Sequence, residues 1–246
     1  MTTVNTVAGV VVTASRYRKL KEPGGTGWSV ADFDYVDPVA IYQQTGEIFA
    51  PSPEEGWRPC LMLSTATSPS EQRLMRRLAK TAEAARTILA KPDSDSVEYP
   101  IALFDRPDGS MGHTDLVAGG ATSGNIHQGS LPSSGFQNVW ETLHNHPKNS
   151  HAGTDNNYTL YPSLARIDPV TNLPAGDWAN FDWVNDRIAQ ANNIPASDTG
   201  LTMAILGYYP PTDSYRLHIY DGSDRSQSPS GVEISVETVI CEDPGT

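Results

Sequence analysis

The stretch Ser68-Pro69-Ser70-Glu71 constrains this chain most, because it starts a helix unambiguously. It has a serine N-cap, a proline at the first helical position and a glutamate that closes a capping box. Leu74, Leu78, Ala82, Ala85 and Leu89 then recur at three- and four-residue spacing, which predicts one amphipathic helix down to Lys91, stopped by Pro92. Its apolar stripe needs a partner surface, and Arg73, Arg77, Lys80 and Glu83 are expected to face water. Downstream, "VEYPIALF" (97–104) reads as a strand, "DRPDG" as a hairpin turn and "HTDLVAGGATSG" as the returning strand and its exit. "FQNVWETLHNHP" carries another strand from Val139 to His146, and a loop rich in Asn, Asp, Pro and Ser follows over 148–175. "GDWANFDWVNDRIAQANN" is helical, with Trp178, Phe181, Val184 and Ile188 on one stripe, and a hairpin runs from "LTMAILGYY" through "PPTDS" to "YRLHIYDG". The order helix, hairpin, strand, helix, hairpin predicts a mixed α/β domain over 68–246, a curved and mainly antiparallel sheet flanked by helices. Residues 1–67 read as an irregular N-terminal arm or accessory layer with one strand at "VAGVVVTASRY".

Charge and composition narrow the function classes. A formal net charge of −12 argues against a nucleic-acid partner, which needs a concentrated basic surface. The largest basic cluster, Arg73, Arg76, Arg77 and Lys80, reads as the solvated side of the first helix. No stretch approaches the roughly 20 apolar residues that span a bilayer. The N-terminus lacks a basic region ahead of its apolar stretch, so no Sec signal is expected; synthesis is cytoplasmic, with export left to a signal-independent secretion system. Cys60 and Cys241 form neither a disulfide framework nor a zinc knuckle and read as two unpaired thiols.

The stretch "ETLHNHPKN" carries the chemistry. Side chains alternate along a strand, so His144 and His146 point the same way, and Pro147 ends pairing just beyond them. Trp140 and Thr142 are expected on that face, with Val139, Glu141 and Leu143 on the other. Hydrolytic zinc sites use three protein ligands and leave one position open, so a third donor is needed. Two carboxylates are candidates: Asp177, at the start of the second helix, and Asp155, in the "GTDNN" loop. Water activated at a metal also needs a base, and Glu98 is the candidate. It can reach the end of the histidine strand only if the two strands run antiparallel.

Glu98, then His144-x-His146-Pro147, then Asp177 at a helix start, together resemble the JAMM (JAB/MPN) metalloprotein superfamily, over about residues 70–225. The small-residue stretch "AGGATSG" between them is similar to RadC-like members. The preceding helix and "SVEYPIALF" look more like the JAMM-like domain at the C-termini of Rhs-type polymorphic toxins. The resemblance implies a JAB/MPN-like fold with a cytidine-deaminase-like core. It also implies Zn²⁺ held by His144, His146 and Asp177, with Glu98 as general base, and hydrolysis of a peptide or isopeptide bond. The partners it implies are a protein or peptide substrate and, for a bacterial effector, an immunity or secretion partner.

Two departures bear on activity. The 31 positions from His146 to Asp177 exceed the family spacing, which would instead reach Asn157, with Thr154 at the serine position. With Asp177 as ligand, the family serine is replaced by Pro174, which has no hydroxyl for the oxyanion; Ser163 and Thr171 are the candidates to support it. Other His-x-His families fit less well; Lys148 and Asn149, for instance, stand where a metallo-β-lactamase needs Asp and His. Two other readings stand beside the hydrolase. One is a non-catalytic, metal-stabilised protein-binding module whose 148–175 loop and N-terminal arm engage a partner. The other is a RadC-like nuclease or DNA-associated protein, which the charge disfavours.

Overall fold

The computed structural model describes residues 60–63, 66, 68–121, 123–148, 160–169, 172–226 and 229–241. The strand read at "VAGVVVTASRY", together with Thr154, Asp155, Asn157 and Thr171, lies outside the described residues. The first described element, β1 (Cys60–Met62), leads into α1 (Pro69–Leu89). The capping box at the start of α1 forms as read: Ser68 Oγ accepts the Glu71 N–H, and the Glu71 carboxylate accepts the Ser68 N–H. Then come β2 (Ile101–Asp105), β3 (Met111–His113) and β4 (Val139–His146). The short pair β5 (Arg166–Ile167) and β6 (Pro174–Ala175) precedes α2 (Asp177–Asn192). The chain closes with β7 (Thr202–Tyr209), β8 (Ser214–Tyr220), β9 (Val232–Ile234) and β10 (Val239–Cys241).

Six strands form the main sheet in the order β3-β2-β4-β7-β8-β9, mostly antiparallel, with β4 and β7 the parallel pair. One helix covers each side. Under α1, Met75, Leu78, Ala82, Ala85 and Ile88 pack on Ile101, Leu103, Leu143, Leu206 and Leu217. Under α2, Trp178, Phe181, Val184 and Ile188 pack on Phe104, Val139, Met203, Ile205 and Tyr220. Each such large apolar side chain contributes about 1.5–3 kcal/mol on burial. Parallel neighbours cannot be joined by a tight turn, so the chain must cross back between β4 and β7, and α2 is that crossover. Because α2 returns the chain, its N-terminus lies at the C-terminal end of β4, where the two histidines are.

Several expectations are corrected. The strand read over 97–104 is in the ladder only from Ile101 to Asp105, since Pro100 has no N–H to pair. The returning strand is short, Met111–His113. Arg77 is buried rather than solvated: its Nη2 donates to Asp105 Oδ2 at 2.9 Å, and its guanidinium lies 5.0 Å from the Trp140 ring centre. Trp140 belongs to the α1 side and Val139 to the α2 side, the reverse of simple alternation. A bulge opposite Leu103 and Phe104 adds a residue to β4 there and inverts the faces upstream of it. Pairing of β1 with β10, parallel and with Met62 opposite Cys241, joins segments far apart in the chain and buries Leu61 in the core under α1. No helix among the described residues is long and apolar enough to cross a membrane.

Candidate metal centre

Downstream of the bulge, alternation along β4 holds. Thr142 and His144 line the α2-side cleft, while Glu141 bonds Thr81 and Leu143 packs in the core under α1. His144 and His146 bring their Nε2 atoms to 3.1 Å of each other. Asp177 completes the group: Oδ1 is 3.1 Å from His144 Nε2, and Oδ2 is 3.3 Å from His146 Nε2. All three residues are buried, and one ligand atom from each lies within 4.8 Å of the others.

Donor set and spacing fit a metal ion. Ligands on tetrahedral zinc at bonds of about 2.0–2.1 Å are about 3.3 Å apart along each edge, close to the separation of the two Nε2 atoms and to the distance from each Nε2 to its nearer Asp177 oxygen. Neutral imidazole and carboxylate are also the ligand types that zinc and related divalent ions take. Of the two candidates for the third ligand, Asp177 is therefore the one placed at the histidines, and Asp155 lies outside the described residues.

Local structure explains how Asp177 is aimed. Gly176, at the N-cap position of α2, has no side chain to cap the helix, and the cap comes from Ser163. Ser163 Oγ accepts the Asp177 N–H at 2.9 Å, and Asp177 Oδ2 accepts the Ser163 N–H at 2.6 Å. This reciprocal pair fixes both backbone and carboxylate of the ligand. Gly176 permits it: φ is +101°, and a Cβ there would stand 2.4 Å from the Leu164 carbonyl oxygen. Ser163, read as oxyanion support, thus stands directly beside the third ligand. Pro174 lines the adjacent cleft.

Glu98 arrives from the other side. β2 and β4 are antiparallel, as the base requires, and carrying their register upstream of Ile101–Leu143 sets Glu98 level with His146. Glu98 is only 7 % exposed, yet its carboxylate accepts no hydrogen bond among the described residues. With His144 and Asp177 it lines a cleft of about 880 Å³, whose wall includes Ile126, Leu173 and Trp183.

The charges are coupled. Burial pushes the Glu98 carboxyl up from its ordinary value; His144 and His146 pull it partly back, and Asp177 pushes it further up. Burial acts on Asp177 in the same sense, but the charges and hydrogen bonds of His144 and His146 outweigh it and hold this carboxyl well below the usual range. Burial would lower His144, but the charge and hydrogen bond of Asp177, with the charge of Glu98, raise it. One buried anion is thus committed to the histidines, while a second carboxylate stands at the cleft wall with no hydrogen bond to its oxygens among the described residues.

One contributor was missed in the sequence. Asn145, between the histidines, is fully buried and bonds the segment that carries Glu98. The signal that could have found it is Pro100, which ends the strand ladder just short of Glu98 and leaves the backbone there needing other partners. Comparisons with protein-family models, with curated proteins and with solved structures find no match to this chain.

Proposed function

We propose that this chain is a zinc-dependent hydrolase that cleaves a peptide or isopeptide bond, with His144, His146 and Asp177 as metal ligands and Glu98 as general base. The observation that carries this reading is the buried Glu98 carboxylate, which accepts no hydrogen bond among the described residues, on the same cleft as a converging His-His-Asp group. Zinc, when bound, supplies Lewis acidity that brings the pKa of a water towards neutrality and polarises a carbonyl oxygen.

The chain's residues supply the rest. Ser163 and Gly176 hold Asp177 so that its charge is fixed before substrate arrives. The Glu98 carboxylate takes the proton from the attacking water and returns it to the nitrogen of the leaving amine, so the base is restored at the end of the cycle. Burial raises the Glu98 carboxyl from its ordinary value, which strengthens it as a proton acceptor. The cleft is large enough for several side chains of a substrate, and Ile126, Leu173 and Trp183 give its wall an apolar surface for them.

The test uses a fluorogenic peptide and a lysine-linked isopeptide probe with the zinc-loaded protein. Turnover by wild type that vanishes in Glu98→Gln, with metal retained, supports the reading. A zinc-loaded wild type that turns over neither probe contradicts it. That outcome favours a second reading, a metal-stabilised module that binds a protein partner. The exposed Leu164, Ile167 and Leu173 on and around the β5–β6 pair are the observation behind it.

A further inference from the structure

The β2–β4 ladder stops at Ile101–Leu143, because Pro100 offers no N–H. Residues 97–99, which deliver Glu98 to the cleft, therefore need other partners to stay beside β4. The Asn145 side chain supplies them. Its Oδ1 accepts the Tyr99 N–H at 2.7 Å, and its Nδ2 donates to the Val97 carbonyl at 2.9 Å and to the Ser94 carbonyl at 2.8 Å. These are three of the four hydrogen bonds that an amide side chain can make.

Two of these bonds fall on the two peptide groups that flank Glu98. In the peptide before it, the carbonyl of Val97 goes to Asn145 and the N–H of Glu98 goes to the Gly120 carbonyl at 2.9 Å. In the peptide after it, the N–H of Tyr99 goes to Asn145 and the carbonyl of Glu98 accepts the Gly119 N–H at 2.8 Å. The base is thus clamped between one side chain and a glycine pair. Gly119 must be glycine, since a Cβ there would stand 2.4 Å from the Ser123 carbonyl oxygen.

We infer that Asn145 is a positioning residue that registers Glu98 against the metal ligands. One strand then places both ligands and, through the residue between them, the base. The inference rests on the hydrolase reading above, and it adds that the middle residue of His144-Asn145-His146 acts on the base rather than on the metal.

The test compares wild type with Asn145→Ala by amide hydrogen exchange, Zn²⁺ affinity and turnover of the same probes. Exchange at Glu98 and Tyr99 should accelerate about ten- to hundredfold, with Ala204 and Leu206 in β7 unchanged. Zn²⁺ affinity should hold within about threefold, while kcat falls about tenfold or more with KM little altered. Unchanged exchange at Tyr99, or a loss of Zn²⁺ affinity as large as the loss of kcat, overturns the inference and leaves the hydrolase reading standing. Wild type that binds no Zn²⁺ overturns the hydrolase reading, and the inference with it. If Asn145→Ala does not fold, Asn145→Ser is read in the same way. Failure of both to fold overturns the inference, because the amide would then be a requirement of the whole fold.

Discussion

Glu98 and Glu141 lie on opposite sides of one sheet, both buried and both with carboxyls raised by burial. Under α1, Glu141 accepts from Thr81 Oγ1 at 2.5 Å and from Thr202 Oγ1 at 2.9 Å, and Arg77 adds a nearby positive charge. Burial still prevails there and pushes it up to about 7. Under α2, Glu98 has no such donors among the described residues and opens onto a cleft beside three potential metal ligands. Perturbation alone therefore does not identify the functional carboxylate. What separates the two is whether each oxygen is already satisfied, since a carboxylate already bonded to two hydroxyls is occupied structurally.

The comparison breaks if the two glutamates respond alike. The largest effect expected is on Glu98→Gln, whose hydrolysis of the probes should fall by about 10²–10⁴-fold while Glu141→Gln stays near wild type in the same assay. Equal losses would mean that the partnering of the carboxylate carries no functional information.

Next in size is a pH effect on the other side of the sheet. Glu141 titrates near 7 in the fold against an ordinary value of 4.5, so the folded state binds its proton more tightly than the unfolded state does. Its contribution to stability is full below the lower value and is lost as pH rises through the upper one. Glu141→Gln removes this dependence, so it should gain about 2–4 kcal/mol on wild type between about pH 5 and pH 8, read from urea unfolding. A pH-independent difference would mean that Glu141 is not held protonated by its burial.

Smaller again, Thr81→Val deletes one of the two donors to Glu141 and should cost about 1–3 kcal/mol, more at the higher pH, where the carboxylate is charged. The smallest is Ser68→Ala, which removes the α1 cap far from either glutamate and should cost about 1 kcal/mol at both pH values. Thermal or urea unfolding at the two pH values separates these cases.

Elements with a local code were legible in the sequence. The capping box marked the start of α1, alternation ended by Pro147 marked β4, and the Trp178-Phe181-Val184-Ile188 stripe marked α2. His144, His146 and Asp177 were legible as a group for the same reason: each sits at the end of an element with a clear boundary signal. Features set by distant partners were not legible. Arg77 is drawn in by Asp105 from another element, the bulge that moves Trp140 depends on the register of β2, and β1 meets β10 across the length of the domain. Ser163 lies in a loop whose sequence does not announce a cap for α2, and Asn145 was hidden between two residues with a stronger signal.

The central claim is that a metal ion joins the two histidines and Asp177 beside a carboxylate that does not ligate it. Zinc content of the purified proteins, measured by mass spectrometry after Zn²⁺ loading and desalting, tests it most directly. Wild type and Glu98→Gln should each carry one equivalent, and His144→Ala, His146→Ala and Asp177→Ala should carry none. Metal-free wild type, full zinc retention in the histidine variants, or zinc lost from Glu98→Gln would contradict the account.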